Sequence, residues 1–207
     1  MIFNCQQPTS SGGGSGSSGD PKPTLPFVSI SKIAAGWGHS AVLFKNGMVK
    51  CWGYNNEGQL GYGDTNNRGD NVGEMGDSLP TVNLGTGRTA VQISAGDYHT
   101  VVLLDNGTVK CWGRNNYGQL GYGDTEYRGD EPGEMGDNLP PIDLGIGGTG
   151  RIIAQISASF SHTGVLFDNG AVKHWRVNGF GQLGYGDASN RGDEVGEMGD
   201  NLPIVDL

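Results

Sequence analysis

Short runs of alternating apolar and polar residues recur along the chain, and nowhere do apolar positions repeat with the 3.6-residue period of a helix. Residues 40–44 (SAVLF) and 48–52 (MVKCW) read as two strands flanking Lys45-Asn46-Gly47. An Asn-Gly pair can supply the two positive-φ residues of a type I′ turn, the tightest antiparallel connection. Asp105-Asn106-Gly107 and Asp168-Asn169-Gly170 repeat the signal. A further strand is predicted before each hairpin, at residues 30–35, 91–95 and 152–158. A fourth is predicted in the Leu-Pro-x-x-x-Leu segments 79–84, 139–144 and 202–207.

The pattern is one unit written three times, at about residues 27–84, 85–144 and 145–207. His39, His99 and His162 are spaced by 60 and 63 residues, as are Trp52, Trp112 and Trp175. The extra three residues of the last interval fall in the connection between residues 144 and 157. Residues 51–65 and 111–125 differ only at Tyr54/Arg114 and Glu57/Tyr117. A four-stranded unit of this size cannot bury both faces alone, so the units are expected to stack radially as blades of an all-β propeller. One large Trp per unit would fill the space between adjacent sheets.

Composition narrows the function classes. Glycine supplies 39 of the 207 residues, which excludes a coiled coil, and no three-residue period points to collagen. No apolar run reaches the roughly 18 residues of a membrane span, and residues 1–10 do not read as a secretory signal. The net charge of −9 argues against nucleic acid as a direct partner. Cys5, Cys51 and Cys111 are too few, and odd in number, for a disulfide scaffold. Free thiols and a cytoplasmic or nuclear location are expected. Residues 1–26 hold a Gly/Ser tract followed by three prolines and are expected to be disordered.

Ordered motifs then become recognisable. Ala35-Gly36-x-x-His39-Ser40, Asn46-Gly47-x-Val49-x-Cys51-Trp52-Gly53-x-Asn55 and Gly58-Gln59-Leu60-Gly61 together resemble the regulator of chromosome condensation repeat. The second copy matches through Gly96, His99, Trp112-Gly113, Asn115 and Gly118-Gln119-Leu120-Gly121. The third drifts, with Ser159, His174 and Arg176 at positions of Gly, Cys and Gly, but keeps His162, Trp175, Asn178 and Gly181-Gln182-Leu183-Gly184. The resemblance implies a seven-bladed propeller with about one repeat per blade, so three copies form an incomplete one. Open blade edges would then invite self-association. It also implies protein binding through propeller faces and loops, without enzymatic activity. Guanine-nucleotide exchange on a small GTPase is the alternative, although every copy carries the same long loop and none a unique wedge. Light sensing, known for a plant relative, needs tryptophans clustered with arginines. Trp37-Gly38-His39 lacks the arginine, and the other two copies lack that tryptophan.

The long loops are the distinctive chemistry. Residues 64–77, 124–137 and 187–200 carry net charges of −3, −5 and −4, more negative together than the whole chain. Such loops would steer a partner with a basic surface. The candidate contacts are Arg68, Asp70, Glu74 and Asp77; Arg128, Asp130, Glu134 and Asp137; and Arg191, Asp193, Glu197 and Asp200. Arg-Gly-Asp occurs in each loop and resembles an integrin-recognition motif, but an Arg–Asp turn is the simpler reading. The carboxylates could hold a structural calcium, yet Arg68 and Met75 break the EF-hand pattern. Catalysis finds no support. His39 precedes Ser40 and His99 precedes Thr100, and neighbours on a strand point to opposite faces. No cofactor motif is present, and one His per unit reads as a hydrogen-bonding fixture.

Overall fold

The computed structural model describes residues 29–145, 151–160 and 162–207. The N-terminal tract expected to be disordered therefore lies outside the described residues, as do residues 146–150 of the lengthened connection. The strands are β1 (Ile30–Ala35), β2 (His39–Phe44), β3 (Val49–Gly53), β4 (Ala90–Ala95), β5 (His99–Leu104), β6 (Val109–Gly113), β7 (Ile153–Ala158), β8 (Thr163–Phe167) and β9 (Val172–Trp175). They form three antiparallel sheets, β1-β2-β3, β4-β5-β6 and β7-β8-β9, one per repeat. The first strand of each sheet carries a register shift, between Ile30 and Lys32, Ala90 and Gln92, and Ile153 and Gln155.

Two expectations are corrected. Each sheet has three strands, not four. The Leu-Pro segments touch the outer strand through a single ladder bond, Val82 N–H to Val49 O at 2.8 Å in the first repeat and Ile142 N–H to Val109 O at 2.8 Å in the second. Pro80 and Pro140 have no N–H to extend the ladder. A tyrosine hydroxyl takes the vacated position. Tyr62 Oη accepts from Cys51 N–H at 3.0 Å and lies 2.9 Å from Cys51 O and 3.0 Å from Pro80 O. Tyr122 and Tyr185 serve Cys111 and His174 in the same way.

The hairpin turns are also not type I′. Asn46 is not among the positive-φ residues, whereas Gly47 has φ +79°. Gly47 N–H donates to Phe44 O and Phe44 N–H to Met48 O, both at 2.9 Å, so the loop has three residues with Gly in the left-handed position. Asn46 instead uses its side-chain oxygen to accept from Met48 N–H at 3.2 Å.

Successive sheets pack face to face. Ala41, Leu43, Val49, Cys51 and Leu60 of the first repeat bury against Ile93, Val102, Leu104 and Trp112 of the second. Val101, Leu103, Val109, Cys111 and Leu120 repeat this against Ile156, Val165, Phe167 and Trp175. Trp112 and Trp175 are fully buried between sheets, as their size predicts. Each sits on a glycine of the preceding repeat. A Cβ on Gly61 would lie 2.6 Å from Trp112 Nε1, and one on Gly121 2.6 Å from Trp175 Nε1.

A polar relay crosses each seam. His39 Nε2 lies 2.9 Å from Thr100 Oγ1, which donates to Gln59 O at 2.8 Å; Trp112 Nε1–H donates to the same carbonyl at 3.1 Å. With the hydroxyl proton on Gln59 O, His39 donates from Nε2. Burial lowers the pKa of His39 to about 4 and that of His99 to about 3. His99, Thr163, Gln119 and Trp175 repeat the relay. His39 and His99 are therefore fixtures between repeats, each bonded to the hydroxyl of the next.

Candidate functional site

The acidic loops are built largely from their own charged groups. Arg68 reaches Asp64 at 2.7 Å and Asn66 O at 2.8 Å, and its guanidinium lies over the Tyr62 ring. Arg128 and Arg191 pair with Asp124 and Asp187, both at 2.8 Å. Glu74 Oε2 accepts from Gly69 N–H at 2.8 Å and Asn71 N–H at 3.1 Å. Glu134 takes the N–H groups of Gly129, Asp130 and Glu131, and Glu197 those of Gly192, Asp193 and Glu194. Arginine and glutamate thus close the loop, as the Arg–Asp turn reading requires.

The aspartates are placed differently. Asp70 is exposed, with Asn71 Nδ2 donating to it at 3.0 Å. The backbones of Asp130 and Asp193 rest on Gly58 and Gly118 of the preceding repeats, where a Cβ would lie 2.5 and 2.4 Å from their nitrogens. Burial raises Asp130 to about 6, with Glu134 and Glu131 adding to the effect. Asp77 and Asp200 are exposed, and Asp137 accepts from Thr86 N–H at 2.7 Å and Thr86 Oγ1 at 2.5 Å. Among the described residues, no three His, Cys, Asp or Glu side chains gather as a metal site.

A second surface is assembled from positions where the copies differ. The β1–β2 connection and its counterparts are strung together by their backbones, Trp37 N–H to Asp97 O at 3.3 Å and Asp97 N–H to Phe160 O at 3.4 Å. Trp37, Tyr54 and Tyr98 form a cluster, with ring centroids 5.4 Å apart for Trp37–Tyr98 and 6.3 Å for each of the other pairs. Arg114 lies over Tyr98 at 5.4 Å and donates from Nε to Asn116 Oδ1 at 2.9 Å. Arg176 lies over Tyr117 at 4.8 Å. The surface remains open to solvent: Trp37 is 68% exposed, Phe160 71% and Tyr117 45%. The arginine that Trp37-Gly38-His39 lacks is supplied across Tyr98 by Arg114 of the next repeat.

Arg176 is conformationally unusual. It has φ +111°, where Gly53 and Gly113 have +108° and +107°. A side chain at such an angle costs about 1–3 kcal/mol. Its guanidinium is buried, which lowers its pKa to about 10 and leaves it charged at neutral pH. This surface escaped the sequence reading because no copy holds all of its residues. The signal was nevertheless present: the two differences within otherwise identical segments, Tyr54/Arg114 and Glu57/Tyr117, both fall here.

The sequence profile of the Regulator of chromosome condensation (RCC1) repeat matches residues 46–103 and 106–166. A second profile of the same description matches residues 30–59 and 90–119. The chain belongs to the RCC1 repeat family. It is 32% identical over 176 residues to the Ultraviolet-B receptor UVR8 of Arabidopsis thaliana, covering 83% of this chain and 36% of that protein. It is 32% identical over 167 residues to the Probable E3 ubiquitin-protein ligase HERC4 of Homo sapiens, covering 81% of this chain and 14% of that one. The chain therefore spans only a minor part of these relatives. Among solved structures, Prp20p from Saccharomyces cerevisiae aligns with a TM-score of 0.56 at 19% identity, over 86% of this chain and 38% of its own. Yeast RCC1 (Prp20) bound to Kap60 gives 0.55 at 20% identity, over 86% and 37%. The fold is that of RCC1 propeller blades. Among the described residues no helix is long and apolar enough to cross a membrane.

Proposed function

We propose that this chain is a non-enzymatic protein-interaction module of the RCC1 repeat type, acting in the cytoplasm or nucleus. Its docking surface is the aromatic–arginine face. The observation that carries this reading is the cluster of exposed Trp37 with half-buried Tyr54, Tyr98 and Arg114. Trp, Tyr and Arg are the residues that dominate protein–protein binding energy. The fold relative Prp20p supports it, being described with binding properties to Gsp1p and histones. The acidic loops have a separate role, steering a basic part of the partner's surface.

The test is a photo-crosslinking residue placed at Trp37 and, separately, at Val72, a fully exposed position in the first acidic loop. In an extract of the source cells, a discrete protein adduct is expected from position 37 and not from 72. Adducts from 72 alone would move docking to the loops. Accelerated nucleotide release from a small GTPase on adding the chain would replace this reading with exchange activity.

A further inference from the structure

We propose that Arg176, flanked by Arg114, binds a carboxylate side chain of an acidic segment in the partner protein. The proposal rests on the aromatic–arginine face being a docking surface, and it assigns that surface a ligand chemistry. Arg176 is 6% exposed, and its buried Nε has no hydrogen-bond partner. Asp97 is the acidic group that Arg176 senses, but it lies beyond ion-pair distance, and Glu57, beside Arg114, is engaged with the Tyr127 hydroxyl. A permanently charged group with a buried, unanswered N–H is costly unless an acceptor arrives.

Its backbone sharpens the point. The two preceding repeats place glycine here at the same φ, so glycine would relieve the strain without disturbing the fold. The third repeat carries arginine instead, and aims it over Tyr117. A planar guanidinium on an aromatic ring, with a second arginine beside it, matches the two oxygens of a carboxylate. Exposed Trp37 and Phe160 offer apolar ground for the residues on either side of it.

Because glycine is native to this position, Arg176→Gly in the full chain separates binding from folding. It is expected to melt cooperatively at an unchanged or higher temperature. The Arg176 Nε–Hε resonance, identified by its disappearance in that variant, is followed during titration with acetylated triglutamate. Triglutamine and inorganic phosphate are the comparison probes. A saturable shift with triglutamate, absent with triglutamine, is expected. No shift with any probe would overturn the proposal, leaving water as the acceptor. A shift with phosphate alone would also overturn it. An adduct from position 37 that persists in Arg176→Gly would preserve the docking surface while removing Arg176 from it. A triglutamate shift without any adduct would do the reverse.

Discussion

Replacing Thr100 with valine removes one oxygen from the seam between the first two blades and little else. The side chain keeps its β-branched shape in strand β5, so packing is preserved. What is lost is the hydroxyl that accepts from His39 Nε2 at 2.9 Å and donates to Gln59 O at 2.8 Å. Gln59 O retains Trp112 Nε1–H at 3.1 Å, so the carbonyl remains satisfied. His39 has no such reserve: it is buried, and Thr100 is the partner of its Nε2. Leaving one buried N–H unanswered costs about 1–3 kcal/mol. For a chain of this size, a loss of about 2 kcal/mol lowers the melting temperature by roughly 4–8 °C. Thr163→Val should cost the same at the second seam, where it faces His99 at 3.0 Å. Ser40→Ala is the control, since Ser40 occupies the matching register beside Trp52 but receives no histidine. It should stay within about 0.5 kcal/mol of wild type. Thermal unfolding followed by circular dichroism measures all three. If Thr100→Val costs no more than Ser40→Ala, the relay is geometry without energy and the argument fails.

Three further outcomes follow from the same contacts. Burial holds His39 near 4 and His99 near 3, so the unfolded chain binds more protons than the folded one below about pH 6.5. Stability should therefore fall steadily from pH 6.5 to 4 in urea titrations, and a flat profile would contradict the buried neutral histidines. Asp130 is shifted the other way, to about 6, so it destabilises the fold as pH rises from 4 to 6. Asp130→Asn should raise the melting temperature at pH 7 and leave it little changed at pH 4. Tyr122→Phe strips the hydroxyl from Cys111 N–H and Cys111 O and should cost about 2 kcal/mol. Hydrogen exchange at the Cys111 amide should accelerate if the hydroxyl stands in for the missing edge strand, and unchanged exchange would refute that role.

The architecture was legible because it repeats. His39, Trp52 and the Gly-Gln-Leu-Gly turn recur at fixed spacing, and a periodic pattern identifies a stacked unit without knowledge of its contacts. Local turn chemistry was less legible. An Asn-Gly pair suits two turn geometries, and the Asn46 side chain settled the choice by capturing Met48 N–H. The fourth strand failed for a related reason. Its hydrophobic spacing is that of a strand, but proline denies the ladder a donor and Tyr62, distant in sequence, takes over. In the acidic loops, formal charge was readable while its pairing was not. Charge density suggested contacts for a partner, whereas Arg68 and Glu74 mainly answer groups within their own loop.

Repetition also separates the residues that build the blades from those proposed to bind a partner. A blade position fixed by packing must satisfy the same neighbours in every copy, so it resists change: Trp112 and Trp175 lie on equivalent glycines, and Thr100 and Thr163 on equivalent carbonyls. Tyr54/Arg114 and Glu57/Tyr117 escape that constraint because they are half-buried or exposed on the aromatic–arginine surface rather than packed in the core. Giving the second blade the residues of the first, Arg114→Tyr with Tyr117→Glu, puts this to the test. Each new residue is already tolerated by the same backbone one repeat earlier. The loss of the solvent-facing Arg114–Tyr98 contact should cost about 0.5–1 kcal/mol, while buried Arg176 exchanges the Tyr117 ring for the introduced carboxylate. Binding should respond far more. The exchange removes one arginine from the face and sets a carboxylate beside Arg176, filling from within the place proposed for the partner's own. The double variant should therefore fold, melt near the wild type and yield no adduct from position 37. An adduct of undiminished strength would mean that the differences between copies are drift, and that the partner reads something the three blades share.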